Sequence, residues 1–156
     1  MINKIFIDVS DEQMRGPKTT SSFSFQANIG TLHDMLGWIR VHVQEGGYSE
    51  AEIKKIELAL EEALVNIIEH AYSYETGMIE ITYRFFPEDR IELVLKDYGE
   101  PFNPLENSKK VNPFAALEER EEGGLGIAFM HKLMDTIEYT REGESNVLTL
   151  KKKCGN

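Results

Sequence analysis

The chain has almost no cysteine: Cys154 is the single thiol among 156 residues. No internal disulfide can form, which fits a reducing compartment, and Cys154 itself reads as an incidental surface thiol. Cations are also scarce, with 17 Lys and Arg against 27 Asp and Glu and a formal charge of -10. Duplex affinity comes mostly from Lys and Arg displacing counterions, so direct nucleic-acid binding is not expected. The basic run Lys151, Lys152 and Lys153 is read as a solvated strand end. No apolar stretch approaches the roughly 20 residues that span a bilayer. The amino terminus offers Lys4 and a short apolar patch over 5–9, without the long core or cleavage site of a secretory signal. The expectation is a cytoplasmic protein with no membrane partner. Internal repeats and low-complexity tracts are absent as well.

What is present is the composition of a soluble globular protein, 41% hydrophobic and 28% charged. At this length one domain can bury a sizeable core. Ile5, Ile7 and Val9 alternate like a short strand, and the polar stretch 10–20 with the Gly16-Pro17 break reads as a connector. Residues 22–27 alternate again. Leu32, Met35, Leu36, Ile39 and Val43 then recur at helical spacing and end at Gly46-Gly47. Ser49 with Glu52 forms a capping-box pattern, and Ile53, Ile56, Leu60, Ala63, Leu64, Ile67 and Ala71 follow with a period near 3.6. Segments 78–86 and 91–96, separated by Pro87, Glu88 and Asp89, predict a hairpin. Residues 102–122 lack a long periodic face and suggest a loop with one helical turn near 114–117, of the kind that often covers a ligand. A helix over 125–134 and strands over 136–140 and 147–152 complete the chain.

Three short patterns could carry chemistry. Glu62 and Asn66 stand four apart, so a helix projects them from one side, away from the apolar stripe. Magnesium prefers oxygen ligands and keeps several waters, so one Asn carbonyl with triphosphate oxygens suffices as a protein contribution. Glu62 could take a proton from an attacking hydroxyl. Asp97 ends a strand, where a carboxylate can accept a hydrogen bond from an amino group such as that of adenine, and Gly99 permits close approach of the base. Gly123, Gly124 and Gly126 open a helix, where free N–H groups suit a phosphate. Taken singly, the first pattern reads more readily as an ordinary helix face and the second as a strand-end turn, while the third is equally loop punctuation.

Together, Glu62 and Asn66 with His70-Ala-Tyr72 following, Asp97-Tyr-Gly99-Glu-Pro-Phe102, and Gly124-Leu-Gly126 resemble the N box and two glycine boxes of the GHKL ATPase superfamily. That superfamily groups gyrase, a heat-shock chaperone, histidine kinases and MutL. Within it the chain is most similar to the RsbW-like anti-sigma-factor serine kinases. The resemblance covers 21–153, nearly the whole chain, and leaves 1–20 as an N-terminal extension. It implies an α/β fold, a two-layer sandwich of the Bergerat ATP-binding type, with helices on one face of a mixed, mostly antiparallel sheet and ATP beneath a lid.

By the same resemblance Glu62 is the general base toward a substrate serine and Asn66 the magnesium ligand. Asp97 binds the adenine amino group and Gly99 shapes its pocket. Gly124 and Gly126 sit against the phosphates, and Phe102 with Asn103-Pro104 begins the lid. The implied cofactors are ATP and Mg2+. The implied partners are a STAS-type anti-sigma-factor antagonist, a sigma factor and a second copy of the chain as a homodimer. Two departures stand out: Gly123 where many relatives have Arg or Ser, and Asn146 where they have Thr. Lys109, Lys110 and Arg120 are lid cations, and His70 is read as a structural helix residue. The alternative to a kinase is a nucleotide-responsive anti-sigma or scaffold protein that binds ATP without transferring phosphate. A histidine-kinase fragment ranks last, because the roughly 50 residues before the N-box helix cannot hold a helical dimerisation hairpin as well as the first strand and helix.

Overall fold

The computed structural model describes residues 16–72, 76–107 and 124–155. The expected strand over 5–9, the helical turn over 114–117, the cations Lys109, Lys110 and Arg120, and Gly123 lie outside the described residues. In chain order the elements are β1 (Thr19–Gln26), α1 (Leu32–Val43), α2 (Glu50–His70), β2 (Met78–Phe86), β3 (Arg90–Asp97), α3 (Pro104–Asn107), α4 (Gly124–Leu133), β4 (Thr136–Glu142) and β5 (Ser145–Lys153). Short 3-10 turns, Ile29–Thr31 and Gln44–Gly46, bracket α1. β1 begins three residues before the alternation at 22 announces it, because its early residues pair with β2 from Thr19 opposite Phe85 onward.

The strands form one sheet in the order β1-β2-β3-β5-β4. All four described pairings are antiparallel. The two-layer sandwich implied by the family resemblance is present, without a parallel component among the described strands. One face of the sheet is apolar and carries the helices. Ile79, Ile81 and Tyr83 of β2, Ile91, Leu93 and Leu95 of β3, and Leu148 and Leu150 of β5 are buried in one cluster with the helices. The period-2 alternation of a half-buried strand puts these residues on a common side.

α2 is the spine of the helical layer. Ser49 Oγ accepts from the Glu52 N–H and the Glu52 carboxylate accepts from the Ser49 N–H, each at 3.2 Å. Such a cap contributes about 1 kcal/mol and fixes where the helix starts. Ile56, Leu60 and Leu64 are fully buried along its length, and each such side chain contributes roughly 1.5–3 kcal/mol through burial. α1 and α4 pack against its flanks. Lys152 is part of no simple solvated strand end: its Nζ donates to the Leu133 carbonyl at 3.0 Å, satisfying a C-terminal carbonyl of α4. No helix among the described residues is long and apolar enough to cross a membrane.

The register positions the functional end of the sheet. Ile79 lies opposite Asp97, Asp97 opposite Asn146, and Asn146 opposite Arg141. That row shares the face of the buried Ile79 and runs beneath the carboxyl end of α2.

Candidate active site

The last two turns of α2 and the ends of β3 and β5 enclose a small pocket. Ile67 and Ala71 line it from the helix, and Asp97, Asn146 and Leu148 from the sheet. Tyr139 of β4 closes one side, and Phe102 and Pro104 close another. Most of the lining is apolar, and Asp97 supplies the charge. An apolar pocket holding one oriented acidic acceptor suits a flat heteroaromatic ring that bears an amino group.

Asp97 is 2% exposed. Its Oδ1 accepts from the Gly99 N–H at 2.9 Å and from Asn146 Nδ2 at 2.9 Å. Its Oδ2 has no partner among the described residues. A buried carboxylate oxygen without a donor is costly, so a ligand N–H placed there would restore a full set of bonds. Gly99 has a nearer structural task than contact with a base. A Cβ on it would stand 2.0 Å from the Ala71 carbonyl oxygen. The Glu100 N–H donates to that same carbonyl at 3.2 Å. Tyr72 reinforces the junction, its hydroxyl donating to the Met78 carbonyl at 2.7 Å and accepting from the Tyr98 N–H at 2.8 Å.

Glu62 and Asn66 do share a side of α2, but their surroundings differ. Asn66 is 4% exposed, whereas the sequence pattern suggests a polar face for both. α2 lies in the middle of the helical layer, packed against the sheet, α1 and α4, so more than its apolar stripe is covered. The Asn66 amide donates to the Glu62 backbone carbonyl at 2.9 Å. That bond directs the other end of the carboxamide away, and Asn66 Oδ1 has no partner among the described residues. A free, buried carbonyl oxygen is the donor type a hard divalent cation takes. No cluster of three or more His, Cys, Asp or Glu suited to a metal occurs among the described residues, so a cation here depends on Asn66 and its ligand's own oxygens. Glu62 is half-buried, and burial, followed by repulsion from Glu61 and Glu69, raises its carboxyl above the ordinary value.

Phe102 begins the segment expected to act as a lid. Its ring stacks on His70, with centroids 4.9 Å apart and planes at 28°. This contact agrees with a structural part for His70. Asn103 Oδ1 accepts from the Leu105 N–H at 2.9 Å, and Pro104 follows as the first residue of α3, where a missing N–H costs nothing. Gly124 and Gly126 occupy the first turn of α4, whose backbone N–H groups have no intrahelical acceptor. The described pocket brings Asp97 together with the end of α2, while Asn66 and Glu62 lie about one and two turns further up the same helix.

Sequence reasoning missed the network behind Asp97. Asn146, flagged only as a departure, is 4% exposed and bonds to five groups. Arg141 Nη1 donates to the Gly99 carbonyl at 2.8 Å and to Asn146 Oδ1 at 3.2 Å. The available signal was the alternation 139, 141 in the penultimate strand, which puts both residues on one face; the partner register was not legible.

A two-layer sandwich with a carboxylate at the end of β3, an amide on the facing helix and glycines opening a following helix defines an ATPase domain of the histidine-kinase type. Residues 25–152 match the family described as the histidine kinase-like ATPase domain, and the chain belongs to that family. It is 35% identical over 95 residues to the serine-protein kinase RsbW of Bacillus licheniformis, covering 58% of this chain and 59% of that protein. The chain thus matches less than two thirds of that relative's length. It is 32% identical over 108 residues to RsbW of Bacillus mycoides, covering 67% of each. Among solved structures it resembles the RsbU and RsbW domains of a Mycobacterium tuberculosis protein, with a TM-score of 0.62 at 17% identity over 90% of this chain and 34% of that one. A blue-light activated histidine kinase of Erythrobacter litoralis aligns with a TM-score of 0.51 at 17% identity, over 79% and 42% of the two chains. These two likenesses speak to the fold.

Proposed function

We propose that the chain is an ATP- and magnesium-dependent serine-protein kinase of the cytoplasm, acting on a STAS-type anti-sigma-factor antagonist and also holding a sigma factor. The observation that carries this reading is a pair of buried acceptors without partners among the described residues, Asp97 Oδ2 and Asn66 Oδ1, on two elements that converge at one end of the sheet. The first suits the amino group of adenine and the second a cation bound to phosphates. The similarity to RsbW proteins supports the kinase and partner assignments.

In this reading Asp97 orients the base, and the N–H groups at Gly124 and Gly126 hold phosphate oxygens. Magnesium, held by Asn66 and the phosphates, would neutralise negative charge during transfer. Glu62 receives the proton of the substrate serine as its Oγ bonds to the γ-phosphorus and the bond to the β-phosphate oxygen breaks, leaving ADP. Positioning and charge neutralisation supply most of the rate in such a transfer, so a single base and an ordered site are adequate. The test is incubation with γ-labelled ATP, magnesium and candidate STAS proteins. Label on a serine of one candidate supports the kinase; nucleotide binding with every candidate unlabelled supports the binder instead. Titration of the sigma factor against the chain tests that partner separately.

A further inference from the structure

We infer that Asn146 is the positioning residue for base recognition: its carboxamide clamps one oxygen of Asp97 and the turn that follows β3, leaving the second Asp97 oxygen to select an exocyclic amino group. This rests on the ATP-binding reading above and deepens it.

The orientation of the Asn146 amide is fixed by its neighbours' chemistry. On one side stand two acceptors, Asp97 Oδ1 at 2.9 Å and the Glu100 carbonyl at 2.8 Å. On the other stand the Phe102 N–H at 3.3 Å, Arg141 Nη1 at 3.2 Å and the Tyr139 hydroxyl. The Phe102 amide and the guanidinium can only donate, so Oδ1 must face them and Nδ2 must face the carboxylate. Both amide protons and both carbonyl lone pairs are then engaged. Asn146 has no capacity left for a ligand and acts through Asp97.

Its partners define what it positions. With Gly99 N–H, the Asn146 amide holds Asp97 Oδ1 from two directions, which fixes the carboxylate plane and directs Oδ2. Its bonds to Glu100 and Phe102 span the turn that follows β3, and Arg141 holds the Gly99 carbonyl of the same turn. A threonine hydroxyl, with one proton, could serve Asp97 but could not also reach the Glu100 carbonyl. Asn146 joins the base acceptor to the turn as one unit.

The test compares Mg-ATP with the Mg complex of purine riboside triphosphate, which has hydrogen in place of the 6-amino group, by calorimetric titration of the full chain. The native chain should prefer ATP by roughly 10- to 150-fold, the range of one bond to a charged acceptor. Asn146→Ala should narrow that ratio by about fivefold or more, while affinity for the amino-less analogue changes by less than about threefold. Asn146→Thr should lie between the two and serves as the readout if the alanine variant fails to fold. Equal weakening of both ligands, or an unchanged ratio in the folded variants, would overturn the inference and leave the ATP reading standing. A native chain that binds neither nucleotide would overturn both. Native binding without preference for the amino group would remove Asp97 from base recognition, and Asn146 with it.

Discussion

Gly99 presses against Ala71, the residue that caps α2, so closely that a Cβ would stand 2.0 Å from the Ala71 carbonyl oxygen and 2.5 Å from its carbon. The obstacle is backbone, which cannot swing aside as a side chain could. Gly99→Ala must therefore move the turn after β3 or the end of α2. Such overpacking costs typically 1–3 kcal/mol. Urea unfolding should show a loss of about 2 kcal/mol or more, with weaker nucleotide binding as a consequence of the displaced turn. Unchanged stability would mean that the two segments separate freely.

Asp97→Asn probes the neighbouring acceptor. An asparagine keeps the Oδ1 that receives Gly99 and Asn146, so the fold should tolerate it. The free oxygen becomes an amide donor, which cannot accept from an amino group. Losing a bond to a charged acceptor costs about 1.5–3 kcal/mol, or roughly 10- to 150-fold in ATP affinity. Calorimetry with Mg-ATP checks this, and unchanged affinity would refute the adenine assignment.

The two acceptors also show what a sequence makes legible. The capping box at Ser49 and Glu52 and the stripe from Ile53 to Ala71 are local signals, and α2 forms from Glu50 to His70 with both capping bonds in place. The hairpin of β2 and β3 was equally local, marked by its strand composition and the Pro87 turn. Asp97 was visible because it closes a strand before a glycine. The reason for that glycine was not, since the Ala71 carbonyl comes from an element 28 positions earlier and no spacing rule connects them. Asn146 was hidden for a related cause: its importance depends on the register that sets it opposite both Asp97 and Arg141. The burial of Asn66 followed from helices on its flanks, which a single-stripe reading of α2 leaves out.

Asn66→Ala tests the cation position. Its amide is tied to the Glu62 carbonyl, so the substitution removes one backbone bond and the free oxygen together. If that oxygen holds magnesium, the gain in ATP affinity between chelator and magnesium buffers should shrink by about tenfold or more, an energy of about 1.4 kcal/mol. Affinity measured in chelator should change far less. A variant whose two affinities fall in parallel would place the ion elsewhere.

In the proposed kinase, Glu62 ties protonation to transfer. Burial first, then repulsion from Glu61 and Glu69, raises its carboxyl above the ordinary value. An acid whose folded value is raised binds its proton more tightly in the folded chain, so it contributes stability below the unfolded value that is lost as pH rises through the folded one. Stability of the native chain relative to Glu62→Gln should therefore decline as pH climbs through the window just above the ordinary carboxylate range. Activity runs the opposite way, because a general base works only when ionised: native transfer should rise with pH across the same window. Glu62→Gln should cut transfer by roughly 10²- to 10⁴-fold and abolish that rise. ATP affinity should stay within about threefold of native, since Glu62 makes no contact with the base pocket. Paired measurements of kcat and ATP dissociation constant across pH decide the matter: loss of binding in step with transfer would assign Glu62 to holding the nucleotide, and a rise in rate that persists in the glutamine variant would assign the proton to another group.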